Sequence, residues 1–159
     1  MASVAINYRK EYNKMNRKFQ SIRYSMTGVF GYEFIDEQGQ RIGGASTIVA
    51  PNQPVYIEGF GYKFVSKVNE NGYVCIEDSE NRIIAYVECL GQNRYSMHFY
   101  DLMLCVEVDA MSYKFLHNDK LVILMNRDTR EKRFHIDVFE ELTDAIGLIA
   151  FAVPALLAI

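Results

Sequence analysis

Three histidines, His98, His117 and His135, are the side chains best suited to metal or proton chemistry, and their spacing suits neither. None forms H-E-x-x-H or a pair three to five residues apart, so no zinc-ligand pattern is present. His135 alternates with apolar Phe134 and Ile136, which predicts a surface imidazole on a strand. No G-x-S-x-G nucleophile elbow occurs. Gly43-Gly44 and Gly59-Phe60-Gly61 lack the following helix start and G-K-[ST] that a phosphate loop needs, and they read as bulges or turns. The acids of Glu77-Asp78-Ser79-Glu80 offer oxygen ligands for a hard cation, but without EF-hand spacing they read as a solvated turn.

Two constellations remain as binding candidates. Tyr95, His98, Tyr100 and Asp101 bring polar and aromatic groups to a predicted strand end, where they would line a small-molecule pocket at a barrel rim. Arg9, Lys10, Lys14, Arg17, Lys18 and Arg23 oppose one acid, Glu11, in residues 1–23, a local charge of +5 in a chain of net −3. The remainder carries −8. Such an arm suits an anionic lipid surface or a protein partner, or else an edge-protecting segment. The overall charge is too small to predict specific nucleic-acid binding. No catalytic residue, metal or cofactor is predicted.

Any site must be positioned by strands. Tyr32 to Asp36 runs through Glu37-Gln38-Gly39 into Gln40 to Ile42, and Tyr73 to Glu77 runs through Asp78 to Asn81 into Arg82 to Val87. Gly, Asp and Asn at these junctions accept turn dihedrals, so both segments read as hairpins. They align at an offset of 41 residues: Tyr32 with Tyr73, Ile35 with Ile76, Asp36 with Glu77, Arg41 with Arg82 and Ile42 with Ile83. A third hairpin reads from Tyr113 through Asn118-Asp119 to Met125, and a further turn at 126–132 precedes a strand at Phe134 to Val138. Arg94 to Phe99 and Leu104 to Val108 supply more strands. The spacing predicts an antiparallel barrel or sandwich. Asn7 to Phe19 reads as coil, strand or short helix.

The last fifteen residues, Ala145 to Ile159, carry no charged or polar side chain. As a helix they reach about 22 Å, short of the roughly 30 Å hydrocarbon core of a bilayer. With no water-facing stripe, the helix must be enclosed by protein. Thr143 or Asp144 would cap it, and Pro154 would kink or interrupt it. Cys75, Cys89 and Cys105 form no C-x-x-C pair and sit in apolar contexts, as in a reduced cytosolic protein. The start of the chain lacks the apolar run of a secretory signal, so a cytoplasmic location is expected, peripheral to a membrane if the basic arm engages one.

The Tyr-x-Phe-Ile-Asp-x-x-Gly hairpin and the passage of a terminal strand into an apolar helix (RFHIDVFEELTDAI) resemble the tubby C-terminal-like superfamily, most closely the LURP-one-related proteins and phospholipid scramblases. The resemblance spans about residues 25–159 and implies a twelve-stranded barrel enclosing a C-terminal helix at about 142–159, with 1–24 as a basic segment within or beside the barrel. The chain ends at Ile159 without the acid often found beyond that helix, and has no scramblase-type acidic loop or cysteine cluster. Scrambling and phosphoinositide binding are therefore not carried over to particular residues. The reading favours a non-enzymatic binding or scaffold module, with a small-molecule binder or enzyme bearing a rim pocket as the alternative.

Overall fold

In the computed structural model, which describes residues 17–48 and 53–157, twelve antiparallel strands close into a barrel around the C-terminal helical segment. The strands are β1 Arg17–Met26, β2 Val29–Ile35, β3 Arg41–Ile48, β4 Val55–Gly59, β5 Tyr62–Val68, β6 Val74–Glu77, β7 Ile83–Gly91, β8 Arg94–Phe99, β9 Met103–Val108, β10 Ser112–His117, β11 Lys120–Asp128 and β12 Arg133–Val138. Each pairs with its sequence neighbour, and β1 pairs with β12 to close the ring. Closure leaves no sheet edge to be protected. β1 is a full barrel strand, so residues 17–24 of the basic segment lie within the barrel. Arg9, Lys10 and Lys14 lie outside the described residues.

Alternation sorts side chains between the interior and the outer face. Val55, Ile57 and Gly59 of β4 are buried while Tyr56 and Glu58 are exposed. Phe134, Ile136 and Val138 of β12 point into the core, and His135 is exposed. Period-two patterning of this kind commits each strand to one register, because a one-residue slip would turn its apolar set outward.

That rule corrects the offset between the hairpins. Asp36 Oδ1 accepts the amides of Gln38 and Gln40 at 3.0 and 2.9 Å, and Asp78 Oδ1 accepts those of Glu80 and Arg82 at 2.9 and 3.0 Å. Gly39 and Asn81 occupy the left-handed position in the two turns, with φ of 78° and 63°. Asp36 therefore matches Asp78, and the fully buried Phe34 matches the fully buried Ile76. The structural offset is 42. An offset of 41 would equate half-buried Ile35 with Ile76 and set opposite faces against one another. In both hairpins the register shifts beside the turn, between Phe34 and Ile35 and between Ile76 and Glu77. The third hairpin shifts between Phe115 and Leu116. These bulges turn one extra apolar residue, Ile42, Ile84 or Val122, onto the core at the same end of the barrel.

Into that end runs α1, Asp144–Phe151, followed by the single turn α2, Val153–Leu156. The helical segment is shorter than the 142–159 expected, and Ala158 and Ile159 lie outside the described residues. Thr143 is the N-cap: its Oγ1 accepts the Ile146 amide at 3.3 Å. The helix stops at Ala152 and restarts, with Pro154 in the first turn of α2, where its missing N–H costs least. From Leu148 to Leu156 every side chain is buried. No helix among the described residues is long and apolar enough to cross a membrane.

The wall is thinned where the helix touches it. Gly43 of β3 and Gly59 of β4 face one another, and Leu148 Cδ1 would lie 3.1 Å from a Cβ on Gly43 and 2.9 Å from one on Gly59. These glycines, read from sequence as bulge or turn residues, make a dent for Leu148. Gly147, one residue earlier, has no such reason: among the described residues a Cβ there meets nothing within 4 Å. A glycine inside a helix costs about 0.5–1 kcal/mol relative to alanine.

Candidate functional site

Where the barrel closes, at the end opposite the start of α1, the β11–β12 turn and the adjoining strands β1 and β2 surround a cleft of about 560 Å³. Four cations from distant parts of the chain line it: Arg23 of β1, Arg127 of β11, Lys132 of the turn and Arg133 of β12. Register explains the convergence. Arg23 pairs across to Tyr32, Arg127 pairs across to Phe134, and the Arg23 amide donates to the Lys132 carbonyl at 3.1 Å.

Aromatic rings hold the guanidinium groups. Arg127 lies 5.1 Å from the centre of the Phe134 ring, and Arg23 lies 5.9 Å from that of Phe30. Cation–π contacts orient the charge without neutralising it. Phe134 packs between Tyr32 and Tyr113, at 6.1 and 5.5 Å between ring centres. Burial raises the pKa of both phenols, with Arg23 and Arg127 pulling Tyr32 partly back, so at neutral pH these tyrosines carry no countercharge.

Arg133 is differently placed. Its Nη1 donates to Gln20 Oε1 at 2.6 Å, and its Nε lies 3.0 Å from Glu131 Oε2. Arg23, Arg127 and Lys132 form no ion pair with any described residue. The cleft thus presents three uncompensated charges over an aromatic floor, an arrangement that attracts phosphate, sulfate or carboxylate groups.

The structure disperses the residues predicted from sequence. Arg23 belongs to the cleft, but Arg17 sits at the opposite end of the barrel beside the start of α1, and Lys18 is paired with Asp137 at 3.2 Å. Tyr95, His98, Tyr100 and Asp101 are not brought together. Tyr95 lines a concavity near Leu156 and Leu157, whereas Tyr100 and Asp101 lie at the other end of the barrel. His98 stacks on Tyr86 at 4.3 Å and bonds Ser96 Oγ at 2.8 Å. Strand alternation and a strand's length separate these four residues. Cys75, Cys89 and Cys105 are free thiols. In the acidic turn, Asp78 and Glu80 bind Arg82, and Glu77 binds Lys67.

Asp128, Glu131 and His135 place ligand atoms within 4.8 Å of one another, a grouping that their spacing in the sequence did not suggest. His135 Nε2 lies 3.3 Å from Asp128 Oδ2, a contact that lowers the Asp128 pKa, while Glu131 faces Arg133. Arg133 already pairs with Glu131 and His135 contacts Asp128 across β11 and β12, so the group reads as a cross-strand ion-pair network. Comparison of the chain with protein-family profiles, curated proteins and solved structures gives no match.

Proposed function

We propose that this chain is a non-enzymatic binding module whose rigid barrel presents the Arg23–Arg127–Lys132 cleft to an anionic membrane surface. The observation that carries the reading is the convergence of three unpaired cations on an aromatic-floored cleft at one end of the barrel. Arg9, Lys10 and Lys14 precede β1 in the sequence and add to the basic charge of the chain. The closed twelve-strand barrel around an apolar helix supports placing the chain with the tubby-like, LURP-one-related and scramblase proteins that its hairpins resemble. That likeness concerns the scaffold, and a scaffold does not dictate activity.

The test is sedimentation with phosphatidylcholine vesicles, with and without about a fifth phosphatidylserine. Near an anionic surface each Lys or Arg contributes about 1 kcal/mol. Arg23→Ala combined with Arg127→Ala should therefore weaken association roughly 30-fold, from about 2 kcal/mol, and added salt should weaken it further. Alanine at Arg9, Lys10 and Lys14 separates the arm from the cleft. Equal association with both vesicle types, or an undiminished Arg23→Ala/Arg127→Ala variant, overturns the reading.

A further inference from the structure

A second concavity, of about 440 Å³, opens at the other end of the barrel, between the first turns of α1 and the β1–β12 seam. We propose that it is a binding site for an organic cation with an apolar body, such as an arylalkyl amine. This inference is independent of the anionic-surface reading. The volume lies within the range of small-ligand pockets. Phe19 and Phe151, with ring centres 5.1 Å apart, form its floor with Val138, and Phe60 stands at its edge.

Two of its lining residues occupy their positions at a cost that the fold does not need. Phe60 and Gly61 form the two-residue β4–β5 turn, with φ of 50° and 82°. That turn wants Asn, Asp or Gly at its first position. The barrel builds the same turn between β10 and β11 with Asn118 and Asp119, at φ 51° and 63°. At the cleft, a bulky aromatic residue takes the left-handed conformation and remains 40% exposed. Gly147 interrupts α1 with no neighbour to accommodate among the described residues, and it lines the same cleft. One residue supplies a ring and the other leaves room. A strained backbone and an unexplained helix glycine that meet in one concavity point to a site kept for a ligand.

Charge selects the class of ligand. Glu140 is matched by Lys120 at 2.6 Å, while Glu141 and Asp144 form no ion pair with any described residue. The one cation lining the cleft among the described residues, Arg17, lies over the Phe19 ring at 4.7 Å, so the aromatic faces here already accept positive charge. Thr143 and Asp144 answer the amide end of α1, which removes its preference for an anion. An ammonium group facing Glu141 and Asp144, with its body against the rings, gives both carboxylates a partner.

The test is an amide-resolved NMR titration of the full chain with phenethylammonium and, separately, phenylacetate, each up to about 10 mM. Gly147→Met fills the cleft from a helix position, and Phe60→Asn gives the turn its preferred residue. Both variants should melt at or above the wild-type temperature and bind phenethylammonium at least about tenfold more weakly. Phenylacetate should bind the wild type about tenfold more weakly than the ammonium probe does. The proposal is overturned if the Gly147 and Phe60 amides do not move, if phenylacetate binds as well, or if Gly147→Met binds undiminished.

Discussion

Replacing Leu148 by alanine removes the side chain that seats the helix in the barrel wall. Leu148 is fully buried, and its Cδ1 lies against the backbone of Gly43 and Gly59. Losing three carbons removes about 2.4 kcal/mol of transfer free energy at roughly 0.8 kcal/mol per methylene. The cavity adds to this, because two of its walls are strand backbone fixed by the β3–β4 ladder and do not collapse. The total should fall near the top of the range of about 2–5 kcal/mol for such truncations. With a urea slope of about 2 kcal/mol per molar, the midpoint should drop by roughly 2 M at unchanged slope. Gly43→Ala provides the second arm. Its Cβ would stand 2.3 Å from the Glu58 carbonyl oxygen, so β3 and β4 must separate whether or not Leu148 is present. Adding Leu148→Ala should therefore not rescue Gly43→Ala. A midpoint shift below about 0.5 M for Leu148→Ala would refute the dent-and-knob account, whereas a double variant more stable than Gly43→Ala would show that Leu148, and not the Glu58 carbonyl, excludes a side chain at position 43.

Two further outcomes follow from buried and titrating groups. Ser21 Oγ is buried without a hydrogen-bond partner among the described residues, so Ser21→Ala should stabilise by about 1 kcal/mol in urea unfolding; a loss would show that a further group or a water bonds the hydroxyl. Asp78, Asp109 and Asp128 have pKa values held below the usual 3.8, first by the Arg82 amide, the Met111 amide and the His135 ring respectively. A folded pKa below the unfolded one gives stability that is present above about pH 4 and is lost as pH falls through the folded values. Replacing all three by Asn should flatten the fall of the urea midpoint between about pH 5 and 2, and an unchanged slope counts against the turns as its source.

Local signals were legible in the sequence, and long-range ones were not. The hairpins at Asp36 and Asp78, the Thr143 cap and the break near Pro154 each depend on residues within four positions, so their chemistry is written contiguously. The one-residue error in the repeat arose because Glu77 stands beside Asp78, so composition aligns Asp36 with either acid and only the turn hydrogen bonds select Asp78. The cationic cleft was half-read. Arg23 stood in a visible basic run, but Arg127 and Lys132 joined it only through β1–β12 closure, a register that no local pattern encodes. Likewise, four residues within seven positions, Tyr95 to Asp101, looked clustered until strand direction carried them to opposite ends and faces.

The topology also fixes an order of events during synthesis. The helical segment that fills the barrel follows all twelve strands in the chain, and the strand that closes the ring, β12, pairs with β1 more than a hundred residues earlier. A ribosome therefore releases every wall strand before the filling that stabilises them. Until α1 emerges, the inward faces of Phe34, Ile76 and Phe115 have no partner, and the nascent barrel is an open apolar sheet with two free edges. Closure of so long a loop is slow compared with hairpin formation. The barrel can therefore close around its filling only after α1 has been translated.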